Sequence, residues 1–258
     1  MGDTDTLFWV LGLAAFLAGF VDAVVGGGGL IQIPALLAAF PTIAPATLFG
    51  TNKIASIVGT SSAAVQYARR VAIPWRVALP GAAAALIGAW YGARAVAHMP
   101  AEVLRPVILV LLVLVAAYTF ARKDFGRHAR EELPAAHEIA LALLIGGVIG
   151  FYDGFFGPGT GSFLIFLFVR CIGMDFLRAS VTAKIVNVAT NFAAIGFFAL
   201  NVTLLWQLGL VMAVCNLCGA VTGSRMALKH GAGFVRGMFL GVVALLIVKL
   251  AYDLLREL

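Results

Sequence analysis

The sequence has 258 residues, of which 62% are apolar and only 12% are charged, and its formal net charge is +6 at neutral pH. This composition excludes a water-soluble protein, because a soluble core of this size does not need so many apolar residues. The basic excess does not require a nucleic acid partner, since Lys and Arg in the loops of a membrane protein account for it.

Ten apolar segments are predicted along the chain. A helix needs about 20 apolar residues to cross the hydrocarbon core of a bilayer, and two of the ten segments, 28–40 and 160–170, are shorter than that. Both directly follow a cluster of glycines, so broken or re-entrant helices are expected there. The segments are 7–25, 28–40, 46–68, 75–97, 104–122, 138–156, 160–170, 177–200, 204–228 and 235–255.

Each glycine cluster is preceded by an aspartate. Residues 19–34 are GFVDAVVGGGGLIQIP, and residues 150–165 are GFYDGFFGPGTGSFLI. The glycines permit an unwound turn at depth, and helices that restart at Leu30 and near Ser162 would direct backbone N–H groups and positive dipole ends toward one anion site. The alternative is that the glycines only allow helices to pack closely.

The chain is duplicated at a fixed offset of 131 residues. The coincidences include charged and aromatic residues: Asp22 with Asp153, Lys53 with Lys184, and Trp75 with Trp206. Apolar helices look alike in composition, but that does not explain matched Asp, Lys and Trp. We therefore interpret the chain as two related halves.

The basic residues predict how the two halves are oriented. The loop at 69–76 carries three arginines, whereas the equivalent loop at 199–206 carries no charge. Because Lys and Arg in short loops favour the cytoplasmic side, equivalent loops are expected on opposite sides. The sequence predicts an all-α polytopic membrane protein with two inverted repeats, 1–121 and 138–258, around a cytoplasmic connector at 122–137. Each repeat has five spans, or three spans plus a re-entrant hairpin.

Four ionisable side chains lie inside the predicted spans: Asp22, Lys53, Asp153 and Lys184. Each costs about 2.5–3.5 kcal/mol at the centre of a spanning helix, so each is expected to face the bundle interior with a partner. One interpretation is that they form two structural Asp–Lys pairs. The other is that the lysines bind an anionic substrate while the carboxylates, Asp22 and Asp153, take up protons during the transport cycle.

Glycine backbone and polar side chains near these charges complete the predicted site. Inverted repeats with broken helices are typical of transporters, in which the substrate lies near the bilayer midplane. The predicted substrate-binding residues are Lys53, Lys184, Gly27, Gly28, Gly29, Gln32, Thr51, Asn52, Gly159, Thr160, Gly161, Ser162, Thr182, Asn187 and Asn191.

The aspartate and glycine cluster in each half, the GTNK segment at 50–53 and the duplicated layout resemble the sulfite exporter TauE/SafE family of membrane permeases. The resemblance covers nearly the whole chain, although Ala183 stands where the first half has Asn52. It implies a multi-pass protein of the bacterial plasma (inner) membrane. The implied activity is transport, usually outward, of small anions such as sulfite, sulfonates or related organosulfur compounds.

We therefore predict a proton-coupled secondary transporter that exports a small anion by alternating access, with the anion and the lipid bilayer as its partners. The alternative is an intramembrane enzyme such as a lipid diphosphate phosphatase. Such an enzyme needs clustered acidic residues with an arginine at the same depth, whereas this chain has one such Asp per half. The four histidines form no metal-ligand pattern, and no metal or cofactor is expected.

Overall fold

The computed structural model describes residues 2–100, 102–104, 107, 110 and 134–257, and the side chains among these from residue 8 to residue 231. Most of the predicted span at 104–122 and most of the predicted connector at 122–137 therefore lie outside the described residues. So do the side chains of the predicted span at 235–255.

The described part of the chain is helical, which confirms the predicted all-α class. The helices are α1 (Gly2–Val25), α2 (Gly29–Ala39), α3 (Pro45–Ala68), α4 (Trp75–Ala97), α5 (Ala135–Phe155), α6 (Thr160–Leu167), α7 (Phe176–Asn201) and α8 (Trp206–Glu257). A π-helical turn, Phe168–Ile172, extends α6. The backbone of α8 is interrupted at Gly231, where φ is 70°, between the predicted segments 204–228 and 235–255.

Local sequence explains where two of the central helices begin. Pro45 occupies the first turn of α3, where its fixed φ and missing N–H carry no cost. The carboxylate of Asp175 accepts hydrogen bonds from the backbone N–H groups of Leu177 and Arg178, each at 3.0 Å, and so caps α7. Such a cap satisfies donors that the helix itself leaves unpaired.

Four of the described helices are long and apolar enough to cross a membrane: Phe8–Val25, Ala135–Phe155, Phe176–Asn201 and Trp206–Gly231. α3 and α4 have comparable lengths of 24 and 23 residues. In contrast, α2 has 11 residues and α6 has 8, so each is only about 12–17 Å long. The two short helices occupy the segments for which broken or re-entrant helices were predicted.

The bundle has an apolar exterior and a partly polar interior. Trp9 and Leu200 are about four-fifths exposed, at 80% and 77%. Lys53, Asp153 and Lys184 are buried at 4%, 2% and 1% exposure. This arrangement suits a lipid environment, in which ionisable side chains face the protein interior and apolar side chains face outward. The chain is thus a polytopic membrane protein, as its composition predicts.

Helix packing repeats at the same offset of 131 residues as the sequence. α1 packs against α8, and the equivalent pair, α5 and α4, packs in the same way. A Cβ atom on Gly219 would lie 1.9 Å from the backbone oxygen of Phe16, and one on the equivalent Gly88 would lie 2.3 Å from the oxygen of Gly147. Each half therefore packs its first helix on the last described helix of the other half. Inversion of the halves relative to the membrane stays a prediction.

Candidate functional site

Both glycine clusters break the helix at the position that the sequence predicts. α1 ends at Val25, and Gly26 adopts a φ of 81°; α5 ends at Phe155, and the equivalent Gly157 adopts a φ of 97°. Only glycine adopts such left-handed angles without a steric penalty. The helices restart at Gly29 and Thr160, one and two residues before the predicted Leu30 and Ser162.

The two breaks contact each other through their backbones. The N–H of Ser162 donates to the carbonyl of Gly26 at 3.1 Å, and the Ser162 hydroxyl donates to the carbonyl of Val25 at 2.7 Å. A Cβ atom on Gly26 would lie 2.4 Å from the carbonyl carbon of Gly161. The glycines therefore serve close packing as well as unwinding, and the two breaks meet at one point inside the bundle.

A buried ion pair joins the two halves beside this contact. Nζ of Lys53, on α3, lies 2.6 Å from Oδ2 of Asp153, on α5, and both side chains are nearly inaccessible. A Cβ atom on Gly157 would lie 3.2 Å from Nζ of Lys53. The lysine of the first repeat is thus compensated by the carboxylate of the second repeat, directly at the second helix break.

The second ion pair has the reciprocal arrangement. Nζ of Lys184, on α7, lies 3.5 Å from Oδ2 of Asp22, on α1, and also donates to the backbone carbonyl of Asp22. The hydroxyl of Thr60 donates to the same Oδ2 atom at 3.0 Å. The side chain of Asp22 is 17% exposed, so this pair is longer and more accessible than the pair of Lys53 with Asp153.

A small cavity connects the ion pairs and the two breaks. Its volume is about 20 Å³, which is room for roughly one water molecule. None of the described residues that line it is an arginine, a histidine or a cysteine. The lining residues are Asp22, Gly26, Gly29, Asn52, Lys53, Ser56, Thr60, Asp153, Gly157, Gly159, Thr160, Gly161, Asn187 and Asn191.

Eight of the predicted substrate-binding residues line this cavity, together with both predicted proton-coupling aspartates. The eight are Gly29, Asn52, Lys53, Gly159, Thr160, Gly161, Asn187 and Asn191. The buried side-chain oxygen of Asn52 has no hydrogen-bond partner among the described residues. An unpaired buried acceptor favours a ligand or water that donates to it.

Seven other predicted residues are not part of the cavity lining: Gly27, Gly28, Gln32, Thr51, Ser162, Thr182 and Lys184. Thr51 accepts from the N–H of Leu205 and donates to the carbonyl of Thr47. The side-chain oxygen of Gln32 accepts from Asn216 at 3.1 Å. The contact of Gln32 joins α2 to α8, and the contact with Leu205 joins α3 to the residue that precedes α8. Linking helices is the usual role of single polar side chains in membrane bundles.

Four lining residues are absent from the predicted substrate-binding set: Gly26, Ser56, Thr60 and Gly157. Thr60 is equivalent to Asn191 at the offset of 131 residues and lies seven residues after Lys53 on α3. Two helical turns place these two side chains on one face. Applying the repeat to the predicted Asn191 would therefore have identified Thr60 from sequence.

Short helices that meet at breaks inside the bundle, with buried ion pairs beside them, are typical of membrane transporters. The comparisons with known proteins identify the particular family. The family model described as sulfite exporter TauE/SafE matches residues 11–250, and the chain belongs to this family. It is a multi-pass protein of the bacterial inner membrane.

Several relatives that are named as probable membrane transporter proteins match almost the full length of the chain. A probable membrane transporter protein YfcA of Escherichia coli K12 is 36% identical over 96% of this chain and 90% of its own length. A probable membrane transporter protein ORF9 of a Sinorhizobium species is 37% identical over 93% and 91%. One from Haemophilus influenzae is 31% identical over 96% and 95%. No solved structure matches the chain.

Proposed function

We propose that the protein exports small sulfur-containing anions, such as sulfite or sulfonates, by alternating access with coupling to protons. The observation that carries the proposal is the pair of buried Lys–Asp contacts that cross between the repeats where the two helix breaks meet. The family name supports sulfite as a substrate and export as the direction.

The charges of the four groups support proton coupling. Two lysines and two aspartates sum to zero in the closed arrangement, so a bound monovalent anion adds one uncompensated negative charge. Uncompensated charge inside a membrane protein is strongly unfavourable. Protonation of one aspartate restores neutrality and releases its lysine to the anion, so one proton accompanies each negative charge.

The size of the cavity supports alternating access. A sulfite ion has four heavy atoms and does not fit in a cavity of about 20 Å³, which holds roughly one water molecule. Binding therefore needs α1 and α5 to move relative to α3 and α7, which carry the opposite members of the ion pairs. Separation of one Lys–Asp ion pair would create a site in which the lysine is already positioned to bind the anion.

Direct binding to the purified protein tests this proposal, with sulfite, a sulfonate and a carboxylate as probes. Asp153→Asn frees Lys53 from its partner, so sulfite is expected to bind at least as tightly as to the wild type. Adding Lys53→Gln to that variant is expected to weaken binding by about 1–3 kcal/mol, the range for hydrogen bonds to charged groups.

Arg94→Gln in the same Asp153→Asn background is the matched control, since it removes an exposed cation at the end of α4. This control is expected to leave the affinity for sulfite unchanged. If the Asp153→Asn variant bound sulfite equally well with and without Lys53, this lysine would not be part of the binding site. Preference for the carboxylate over both sulfur anions would overturn the proposed substrate class.

A further inference from the structure

A second cavity lies between the C-terminal end of α3 and the C-terminal end of the spanning part of α8. Its volume is about 830 Å³, so it is far larger than the central cavity. Four of its lining residues are cationic, namely Arg69, Arg70, Arg225 and Lys229, and none of its described lining residues is acidic. We call this the basic cavity.

The basic cavity lies at one end of the bundle. α3 and α8 run in the same direction, because Gly209 contacts Ile54 and, further along both helices, Asn216 contacts Gly59. α3 ends at Ala68, and the spanning stretch of α8 ends at Gly231. The four cations therefore lie at the level where these helices leave the membrane, on the side that the positive-inside rule assigns to the cytoplasm.

The walls of the basic cavity are mixed. Val65, Val221 and Leu228 provide apolar surface, and Val65 is 49% exposed on the outside of the bundle. Ser61, Ser62 and Gln66 provide hydroxyl and amide groups among the cations. This combination fits a phosphate group with an attached acyl chain, because the apolar wall continues toward the lipid-facing surface.

The equivalent place in the other repeat is built differently. At the offset of 131 residues, Gln66 corresponds to Phe197 and Val221 corresponds to Trp90. The rings of Trp90 and Phe197 meet edge to face, with centroids 5.3 Å apart. The duplicated helix pair is thus closed by aromatic packing in one half and open, with cations around it, in the other.

We infer that the basic cavity binds the headgroup of an anionic phospholipid, with its phosphate between the guanidinium groups of α3 and α8. Loop charge alone explains an excess of Arg and Lys on one side of the membrane. It does not explain why four of them surround one cavity that also offers hydroxyl, amide and apolar groups. Basic pockets between spanning helices are typical sites for anionic headgroups. The inference is independent of the transported anion.

Native mass spectrometry of the purified full-length protein tests the inference, with phosphatidylglycerol and phosphatidylethanolamine added in equal amounts. Wild-type protein is expected to retain phosphatidylglycerol selectively. Arg69→Gln combined with Arg225→Gln is expected to weaken that retention by about a hundredfold, since each of the two lost charge-assisted hydrogen bonds costs about tenfold. Arg76→Gln removes a cation from the same predicted side but outside the cavity, so retention should not change.

A second variant keeps all four cations and fills the basic cavity with larger side chains. Gln66→Phe with Val221→Trp reproduces the aromatic pair of the other repeat, and it is expected to abolish the selectivity for phosphatidylglycerol. Equal losses in the Arg76 control, or unchanged retention in the filled variant, would overturn the inference. Displacement of the lipid by an equal concentration of inorganic phosphate would also overturn it and assign the cavity to soluble anions.

Discussion

The pairing of charges is decided at the level of single residues. The sequence predicts that Asp22, Lys53, Asp153 and Lys184 need partners, because an isolated charge at that depth is too unfavourable. It cannot decide which lysine meets which aspartate, since the two members of each aligned pair lie at equivalent places in the repeats. The structure pairs each lysine with the aspartate of the other repeat. This confirms that the buried charges have partners, and it shows that both ion pairs join one repeat to the other.

Asp22 is the carboxylate on which we expect proton coupling to depend most, because it is more exposed than Asp153 and its ion pair is longer. Asp22→Asn is expected to flatten the pH dependence of sulfite flux, since an amide takes up no proton in this range. The measurement is flux into proteoliposomes at a series of pH values.

Asp175→Asn is the matched control for this experiment. Asp175 caps α7 and lies about 18 Å along the helix from Asn187, the first residue of α7 in the cavity lining. An asparagine caps a helix equally well, so the pH profile should stay as in the wild type. If Asp22→Asn and Asp153→Asn both kept the wild-type profile, the ion pairs would be structural elements only.

The helices and their breaks follow from sequence more completely than the charge pairing does. Apolar length and glycine clusters predict α2 and α6 as short helices, because too few apolar residues are available for a full span. They cannot predict that Ser162 of one break binds Val25 and Gly26 of the other, because that contact joins residues far apart in the chain. The roles of Thr51 and Gln32 as links between helices were not predictable for the same reason.

The GGGG segment itself contains a matched pair of test positions. Gly26→Ala is expected to destabilise the protein by roughly 2–4 kcal/mol, since alanine is strained at a φ of 81° and its Cβ would overlap the backbone of Gly161. Gly27→Ala is expected to be tolerated, because its nearest neighbours would be 3.7 Å away. Thermal unfolding of the purified variants measures the difference, and equal stability of the two would contradict the packing of the breaks.

At the scale of the whole molecule, the first helix of each half packs against the last described helix of the other half. The orientation of the two halves in the membrane stays a prediction. The charge asymmetry between the loops at 69–76 and 199–206 predicts that these loops lie on opposite sides. Sequence alone suffices for this prediction because topology depends on loop charge and not on tertiary contacts.

Cysteine labelling in intact cells checks the orientation. The starting protein has Cys171, Cys215 and Cys218 replaced by serine, because two of the three are exposed. A reagent that does not cross membranes is expected to modify Asn201→Cys and to spare Arg70→Cys. Both introduced sites are at exposed positions, so accessibility is matched, and the reverse labelling pattern would refute the inverted arrangement.

The packing of α1 on α8 has a consequence for biosynthesis. α1 is the first described helix to leave the ribosome and α8 is the last, yet their backbones touch at glycines such as Gly219. During translation Asp22 therefore enters the membrane before Lys184 exists to compensate it. The ion pair of Asp22 and the packing of α1 on α8 can therefore form only after most of the chain has been made.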